Sequence, residues 1–336
     1  MLKIALLDDY AHAAMQLAEW GRLNGKAEVT AFHDHLSEDE AARQLAPFDI
    51  LCTIRERMAL PRTLIERLPN LKLVTIIGPR LPNLDLDAAS EHGVIVARSG
   101  TSHADFPFIG AATPELTWGL MIATVRDIAG QDRRMRAGLW QDRLGTVLAG
   151  RTLGLLGLGR IGKRMARYAH AFDMNVIAWS QNLTAEAAEA EGARRVEKDD
   201  LFRQADVLSI HVILSERTRG LVTARELGLM KPTAFLINSS RGPIVVEADL
   251  IDALKRGAIA GAGLDVYDRE PPPADHPLRQ LPNVTLTPHI GYVTRETLEA
   301  WYRHSLDVIE AFVNGAPTGV TNPEALERVK ARGAQS

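Results

Sequence analysis

The stretch Thr152-Leu153-Gly154-Leu155-Leu156-Gly157-Leu158-Gly159-Arg160-Ile161-Gly162 constrains this chain more than any other. An apolar run of strand type breaks at closely spaced glycines, then resumes with apolar residues at Ile161, Met165, Ala169 and Phe172, the spacing of one helix face. Strand, tight turn and helix follow from that pattern. Gly157, Gly159 and Gly162 match G-x-G-x-x-G, in which the first glycine permits the turn, the second lets a pyrophosphate approach the backbone, and the third packs helix on strand. The helix N-terminus adds free N–H groups and the positive end of its dipole. A glycine-rich turn without a ligand is the alternative; the strand-turn-helix context favours a dinucleotide site.

At 336 residues the chain has room for two domains, each with its own core. A net charge of -3 gives no general reason to expect nucleic acid or an anionic membrane as a partner. Cys52 is the only cysteine, which excludes an internal disulfide. Within Ile50-Leu51-Cys52-Thr53-Ile54 it reads as a small buried hydrophobe rather than a nucleophile. The N-terminal run Leu2-Lys3-Ile4-Ala5-Leu6-Leu7-Asp8-Asp9 meets acids too early for a signal peptide and reads as a first strand. No apolar stretch has the length to span a bilayer, so a cytoplasmic protein is expected, without a metal site.

The first hundred residues alternate strand patterns (Ile4–Leu7, Val29–Phe32, Ile50–Ile54, Leu73–Ile77, Val94–Ala97) with helical ones (Ala11–Trp20, Ser37–Leu45, Pro61–Leu68). A small parallel sheet wrapped by helices is the expected result. Ser99–Gly110 has no periodicity and reads as a linker or hinge. Thr113-Pro114-Glu115 then predicts an N-cap, a proline at the first helical position and an early acid, opening a long helix through Leu116, Leu120, Ile122 and Ile128. From Gly150 onward, strands are predicted at Leu153–Leu156, Val176–Trp179, Val207–Leu214, Ala234–Asn238, Ala262–Val266 and Val284–Thr287, as in a doubly wound dinucleotide-binding sheet. Thr294-Arg295-Glu296-Thr297 starts an amphipathic helix that ends at Gly315 and is expected to complete the first domain. Arg328–Ser336 reads as a polar, frayed tail. The predicted division is residues 1–101 and 292–336 as one domain and residues 102–291 as the dinucleotide-binding domain.

Ligands of open parallel sheets bind beyond the carboxyl ends of the strands, and three ionisable residues fall there in succession. Arg241 follows Phe235-Leu236-Ile237-Asn238, Glu270 follows Leu264-Asp265-Val266-Tyr267, and His289 follows Val284-Thr285-Leu286-Thr287-Pro288. Each has a bland reading: a cap contact, a surface acid before a proline turn, a satisfied loop histidine. Together they match the needs of 2-oxo acid reduction. A guanidinium grips a carboxylate through paired hydrogen bonds, and an imidazolium gives its proton to the ketone oxygen while a neighbouring carboxylate orients it.

The chain resembles the D-isomer-specific 2-hydroxyacid dehydrogenase family. The resemblance rests on Gly157–Gly162, on Leu236-Ile237-Asn238-Ser239-Ser240-Arg241-Gly242-Pro243-Ile244-Val245, and on Gly263-Leu264-Asp265-Val266-Tyr267-Asp268-Arg269-Glu270-Pro271. It extends through Leu281-Pro282-Asn283-Val284-Thr285-Leu286-Thr287-Pro288-His289-Ile290-Gly291 and, upstream, Asp85-Leu86-Asp87-Ala88-Ala89. It implies two Rossmann-like α/β domains, a doubly wound NAD(P)-binding domain inserted in a smaller flavodoxin-like substrate domain, with a cleft between them. It further implies that Arg241 holds the substrate carboxylate, His289 is the acid/base, Glu270 supports it, and Asp265 contacts the nicotinamide carboxamide. Cofactor contacts are implied at Gly157, Gly159, Arg160, Ile161, Gly162, Ser180, Ile213, Thr218 and Ser239. A homodimer is implied too, with Thr113–Ile128 and the stretch from Arg134 to Arg143 near the twofold axis. Glu270 argues against a formate dehydrogenase, whose acidic partner is replaced by an amide, and the regulatory extension of many phosphoglycerate dehydrogenases is not expected.

Three departures from the family pattern qualify this. Ser180 stands about twenty residues past the glycines, where NAD users place an acid on the ribose 2′-hydroxyl. NAD is therefore the expected cofactor with NADP admitted, and Arg194, Arg195 and Lys198 nearby read as a solvated helix face. The loop Gly78-Pro79-Arg80-Leu81-Pro82-Asn83-Leu84-Asp85 replaces a glycine-rich one, so Pro79 cannot donate and Arg80 brings a charge. Gly78 and Arg80 are expected at the substrate, Arg80 on a second anionic group, with a solvent-facing Arg80 as the alternative. Ile213 stands where relatives carry proline and has no assigned mechanism. Specificity is expected from the loops around Arg55, Arg80 and Ser102-His103. The alternatives are an NADPH-preferring glyoxylate/hydroxypyruvate reductase and, from a different class, a non-catalytic NAD(H)-sensing interaction protein.

Overall fold

The computed structural model describes residues 1–78, 83–99, 110–141 and 143–333. The chain divides into two compact units, Met1–Ile109 with Thr294–Ser336, and Gly110–Val293. The sequence placed these boundaries at 101/102 and 291/292.

The first unit is built on a parallel sheet of strands β1 (Leu2–Leu6), β2 (Ala27–Ala31), β3 (Ile50–Ile54), β4 (Leu73–Ile77) and β5 (Ile95–Ser99) in the order β2-β1-β3-β4-β5. This is the flavodoxin-like order. Strands β3 and β4 are buried at every position, which their continuous apolar runs anticipate for central parallel strands. Cys52 is one of those buried residues and carries a free thiol. Helix Glu38–Gln44 starts from a capping box between Ser37 and Glu40, and Leu86–His92 from the Asp85 carboxylate, which accepts from Ala88 N at 2.8 Å. Helix Arg295–Val313 starts at Thr294, whose side chain accepts from Thr297 N, and packs Leu298, Trp301, Tyr302, Ser305 and Ile309 inward, beside β4 and β5. The C-terminal end thus completes the first sheet.

The second unit carries a parallel sheet of β6 (Thr152–Leu156), β7 (Asn175–Trp179), β8 (Arg194–Arg195), β9 (Val207–Ile210), β10 (Phe235–Asn238), β11 (Gly261–Leu264) and β12 (Val284–Leu286). Their order is β12-β11-β10-β9-β6-β7-β8, so the chain leaves β6 toward one edge and returns to build the other. Gly154 lets helix Lys198–Gln204 lie close on β6, since a Cβ there would come within 2.8 Å of Ala205 Cβ. Both units are therefore parallel α/β sheets with the expected doubly wound organisation.

Several local expectations are corrected. Helix Ala11–Trp20 shrinks to Ala14–Leu17, because the Asp9 carboxylate takes the Ala13 and Ala14 amides and Ala18 is extended; a short 3-10 turn, Trp20–Leu23, follows. The segment predicted as helix Pro61–Leu68 is helical over Arg62–Ile65. Thr113 does not cap: the helix runs Ala112–Val125 from Ala111, and Asp127 at φ +50° breaks it before a second helix, Ile128–Arg136. The strand predicted over Val207–Leu214 ends at Ile210. Arg194 and Arg195 form edge strand β8 rather than a helix face, pairing with Ile177 and Ala178. Arg328 lies in helix Pro323–Gly333, so the tail is ordered further than its polarity suggests. The predicted linker lies outside the described residues over positions 100–109. No helix among the described residues is long and apolar enough to cross a membrane.

Candidate active site

The carboxyl ends of the second sheet gather the motif residues along one edge. At β6 the chain turns through Gly157 at φ +106°, a conformation that suits glycine, and a Cβ there would lie 2.8 Å from the His211 carbonyl carbon. At Gly162 a Cβ would strike the Gly157 oxygen at 2.3 Å, so the helix that follows, Arg160–Ala171, can approach the turn only through glycine. Gly159 differs: nothing lies within 4 Å of its would-be Cβ. Two of the three glycines are thus demanded by the protein's own packing, while the middle one faces open space. Its helix begins without a side-chain cap, and the first backbone bond is Lys163 N to Gly159 O at 2.9 Å, leaving the preceding amides as anion donors. This cradle fits a dinucleotide pyrophosphate.

Next to β6, the Gly157 amide bonds Trp179 O at 2.8 Å, which sets the end of β7 and Ser180 beside the turn. No acid follows Ser180 directly; Gln181 and Asn182 are exposed. Arg195 donates to Leu183 O at 2.9 Å and to Glu197 at 2.8 Å, Arg194 to Gln204 at 2.8 Å, and Lys198 to Glu226 at 3.0 Å. On the other side of β6, past β9, Ile213 is 60% exposed and its carbonyl accepts the Thr218 hydroxyl at 2.6 Å. Ser239, after β10, shares a 2.6 Å hydrogen bond with Thr117. Thr218 and Ser239 therefore already hold protein partners.

At the far edge, β10, β11 and β12 pair in register, with Asn238 opposite Leu264 and Leu264 opposite Leu286. Their following loops are locked together. Asn238 accepts Ser240 N at 3.0 Å and donates to Arg241 O at 3.0 Å, shaping the turn that carries the half-buried Arg241, whose guanidinium donates to Ser240 O at 2.7 Å. A Cβ at Gly242 would lie 2.1 Å from the Tyr267 carbonyl, so this turn rests directly on the next loop. Tyr267 OH in turn donates to Thr287 O at 2.8 Å.

His289 sits on the third loop at φ +52°, an unusual conformation for a residue with a Cβ. Asp265 holds that loop: one carboxylate oxygen accepts Thr287 Oγ1 at 2.6 Å and Ile290 N at 2.8 Å, the other Gly291 N at 2.9 Å. Burial pushes the Asp265 carboxyl up against these hydrogen bonds. The His289 ring meets Glu270: Nδ1 and Oε2 are 2.5 Å apart, and Glu270 Oε1 accepts Tyr267 N at 2.9 Å. No described residue bonds His289 Nε2. The side chains of His289 and Glu270 are 22% and 33% exposed, so the pair is accessible yet held.

Arg241, Glu270 and His289 thus come from three touching loops. Gly78 lies in the first unit at the end of β4 with φ +134°, and Arg80 and Ser102-His103 lie outside the described residues. Asn238, which shapes its own turn, and Tyr267 and Thr287, which tie the second loop to the third, were missed by sequence reasoning, because a polar side chain at a strand end carries no sign of its partner until the neighbouring strands are known.

The profile of the D-isomer specific 2-hydroxyacid dehydrogenase NAD-binding domain matches residues 118–291. A D-3-phosphoglycerate dehydrogenase from Archaeoglobus fulgidus is 35% identical over 78% of this chain and 49% of its own length. A glyoxylate reductase from Aeropyrum pernix is 35% identical over 84% of this chain and 89% of its own. Among solved structures, a phosphoglycerate oxidoreductase from Vibrio cholerae superposes with a TM-score of 0.87 at 35% identity, covering 94% of this chain and 100% of that one. The chain spans about half the length of the curated phosphoglycerate dehydrogenases it matches. The chain belongs to the D-isomer-specific 2-hydroxyacid dehydrogenase family.

Proposed function

We propose that the protein interconverts a small 2-oxo acid and its D-2-hydroxy acid, with the unit Gly110–Val293 binding NAD(P) and the other unit contributing substrate contacts through Gly78 and Arg80. The observation that carries the reading is the His289–Glu270 contact of 2.5 Å on a loop whose shape Asp265 enforces. The cofactor supplies the hydride in reduction and takes it back in oxidation. His289 Nε2 gives its proton to the substrate carbonyl oxygen, and Glu270 at Nδ1 orients the ring and offsets its charge; such general acid catalysis contributes about 10²–10⁴-fold. Arg241 holds the substrate carboxylate, which a planar guanidinium does through two parallel hydrogen bonds. The Gly157–Gly162 turn would hold the pyrophosphate, with Arg160, Ile161, Ser180, Ile213, Thr218 and Ser239 around the rest of the dinucleotide. Asp265 is fully buried beneath its three protein donors, so its part in the site is to set the loop that carries His289 rather than to touch the nicotinamide carboxamide.

A second reading, NADPH preference in a glyoxylate/hydroxypyruvate reductase, is favoured by Ser180, where no acid repels a 2′-phosphate. It gains from relatives named glyoxylate/hydroxypyruvate reductase B, one from Yersinia enterocolitica being 34% identical. A homodimer is supported by exposed apolar side chains on one stretch, Ile128, Met135, Leu139, Trp140, Leu144 and Val147. A cytoplasmic location accords with the reduced Cys52. The test is a panel of 2-oxo acids (glyoxylate, hydroxypyruvate, pyruvate, 3-phosphohydroxypyruvate) run with NADH and with NADPH. Turnover of at least one member is expected; dinucleotide binding without turnover of any would favour a sensing protein instead.

A further inference from the structure

Glu247 and His276 form a pair that the reaction described above leaves unused. Glu247 opens helix Glu247–Lys255 after β10, and His276 precedes the 3-10 turn Pro277–Gln280 before β12. Their side chains are 18% and 13% exposed, and His276 Nε2 lies 2.9 Å from Glu247 Oε1. His276 Nδ1 accepts Leu278 N at 3.4 Å, so the ring proton is on Nε2 and donates to the carboxylate. The second Glu247 oxygen accepts Asp268 N at 3.3 Å. The adjacent amide, Tyr267 N, is the one that Glu270 Oε1 accepts at 2.9 Å while its other oxygen meets His289. Two consecutive amides are therefore held by two carboxylates, one oriented by His276 and the other orienting His289. The loop between them is closed by Arg279, which donates to Pro273 O at 3.0 Å and to Pro272 O at 3.1 Å.

We propose that Glu247, oriented by His276, is a positioning residue for the acid/base pair, fixing the backbone at Tyr267-Asp268 from which Glu270 reaches His289. The inference rests on the reading of His289 as the acid/base. Charge placement around the pair agrees with it. Burial and Glu247 together push the Asp268 carboxyl up, opposed by Arg219 and His276, and the field of Glu247 also reaches Tyr267. A carboxylate here thus acts on the same segment electrostatically and through its hydrogen bond.

The test compares Glu247→Ala, Glu247→Gln and His276→Gln with the wild type. Losing the anchor lets Glu270 drift, and misplacements of this kind cost about tenfold or more in kcat. Glu247→Ala is expected to lower kcat about that much while NADH affinity, by fluorescence titration, stays unchanged. Glu247→Gln keeps an acceptor for Asp268 N and is expected to recover most of kcat; His276→Gln falls between. A merely structural pair would lower Tm and leave kcat at the wild-type value, which would overturn the proposal. The ¹⁵N shifts of the His289 ring, assigned with His289→Asn, give a readout that needs no substrate. A change in Glu247→Ala supports positioning even where the panel finds no turnover and the catalytic reading fails, and shifts identical to wild type sink it. Were Glu247→Ala unable to fold, His276→Gln decides by the same ring shifts.

Discussion

Two histidines follow strands of the same sheet at its carboxyl end, and they do opposite things. His211 comes directly after β9, where its amide bonds Leu156 O at 2.8 Å and its ring meets the buried Ser209 hydroxyl at 2.8 Å. It backs the Gly157 turn, and desolvation lowers it to about 3. His289 comes after β12, turns off the strand at φ +52° and meets a carboxylate. The first is a neutral packing element behind the cofactor cradle; the second is equipped to carry a proton. Position at a strand end does not make a histidine chemical. Its partner does.

The comparison can be broken most directly at His289. Replacing it with Asn is expected to lower kcat by about 10²–10⁴ and leave dinucleotide affinity near wild type, while Glu270→Gln costs less because the imidazole remains. Steady-state kinetics beside NADH titration checks this, and near-normal turnover of His289→Asn would end the distinction between the two histidines. A smaller effect is expected in the cradle that His211 backs. Gly159→Ala places a methyl group where the protein has nothing within 4 Å, so Tm should hold while dinucleotide affinity drops, by about tenfold if one phosphate contact is lost. Gly162→Ala, whose methyl would meet the Gly157 oxygen at 2.3 Å, should lower Tm instead. Equal behaviour of the two variants by calorimetry and titration would remove the argument that one glycine serves a ligand and the other the fold.

The smallest effect concerns His211 itself. Its folded-state value of about 3 lies below the ordinary 6.5, so between these pH values the unfolded chain binds more protons. Stability from the neutral ring is then fully present above 6.5 and is lost as pH falls toward 3, with a slope of at most about 1.4 kcal/mol per pH unit. His211→Gln should flatten the acid side of the stability curve, measured by urea unfolding from pH 7 to 4; an unchanged slope would mean the ring is protonated in the folded protein.

The two sites were unequally legible. The cradle is contiguous, and its requirements fall on backbone: a positive φ at Gly157 and a close approach at Gly162 are written as glycines in six residues. Arg241, Glu270 and His289 could be placed at strand ends by counting, but the pairing of Glu270 with His289 required the family resemblance. Where the predicted helices were cut, polar residues in or next to the segment did it. Asp9 took the Ala13 and Ala14 amides, and Asp127 at φ +50° split a run whose apolar spacing continued to Ile128.

By itself, then, the sequence determined the alternation of strands and helices, the parallel sheets and the glycine turn, because each depends on propensities and steric limits within a few residues. The tertiary structure decided which histidine meets a carboxylate, that Asp265 clamps the loop carrying it, and that Tyr267 after β11 is tied to Thr287 after β12. Those contacts are made between strands that become neighbours only through the order of the sheet, and no local rule carries that order.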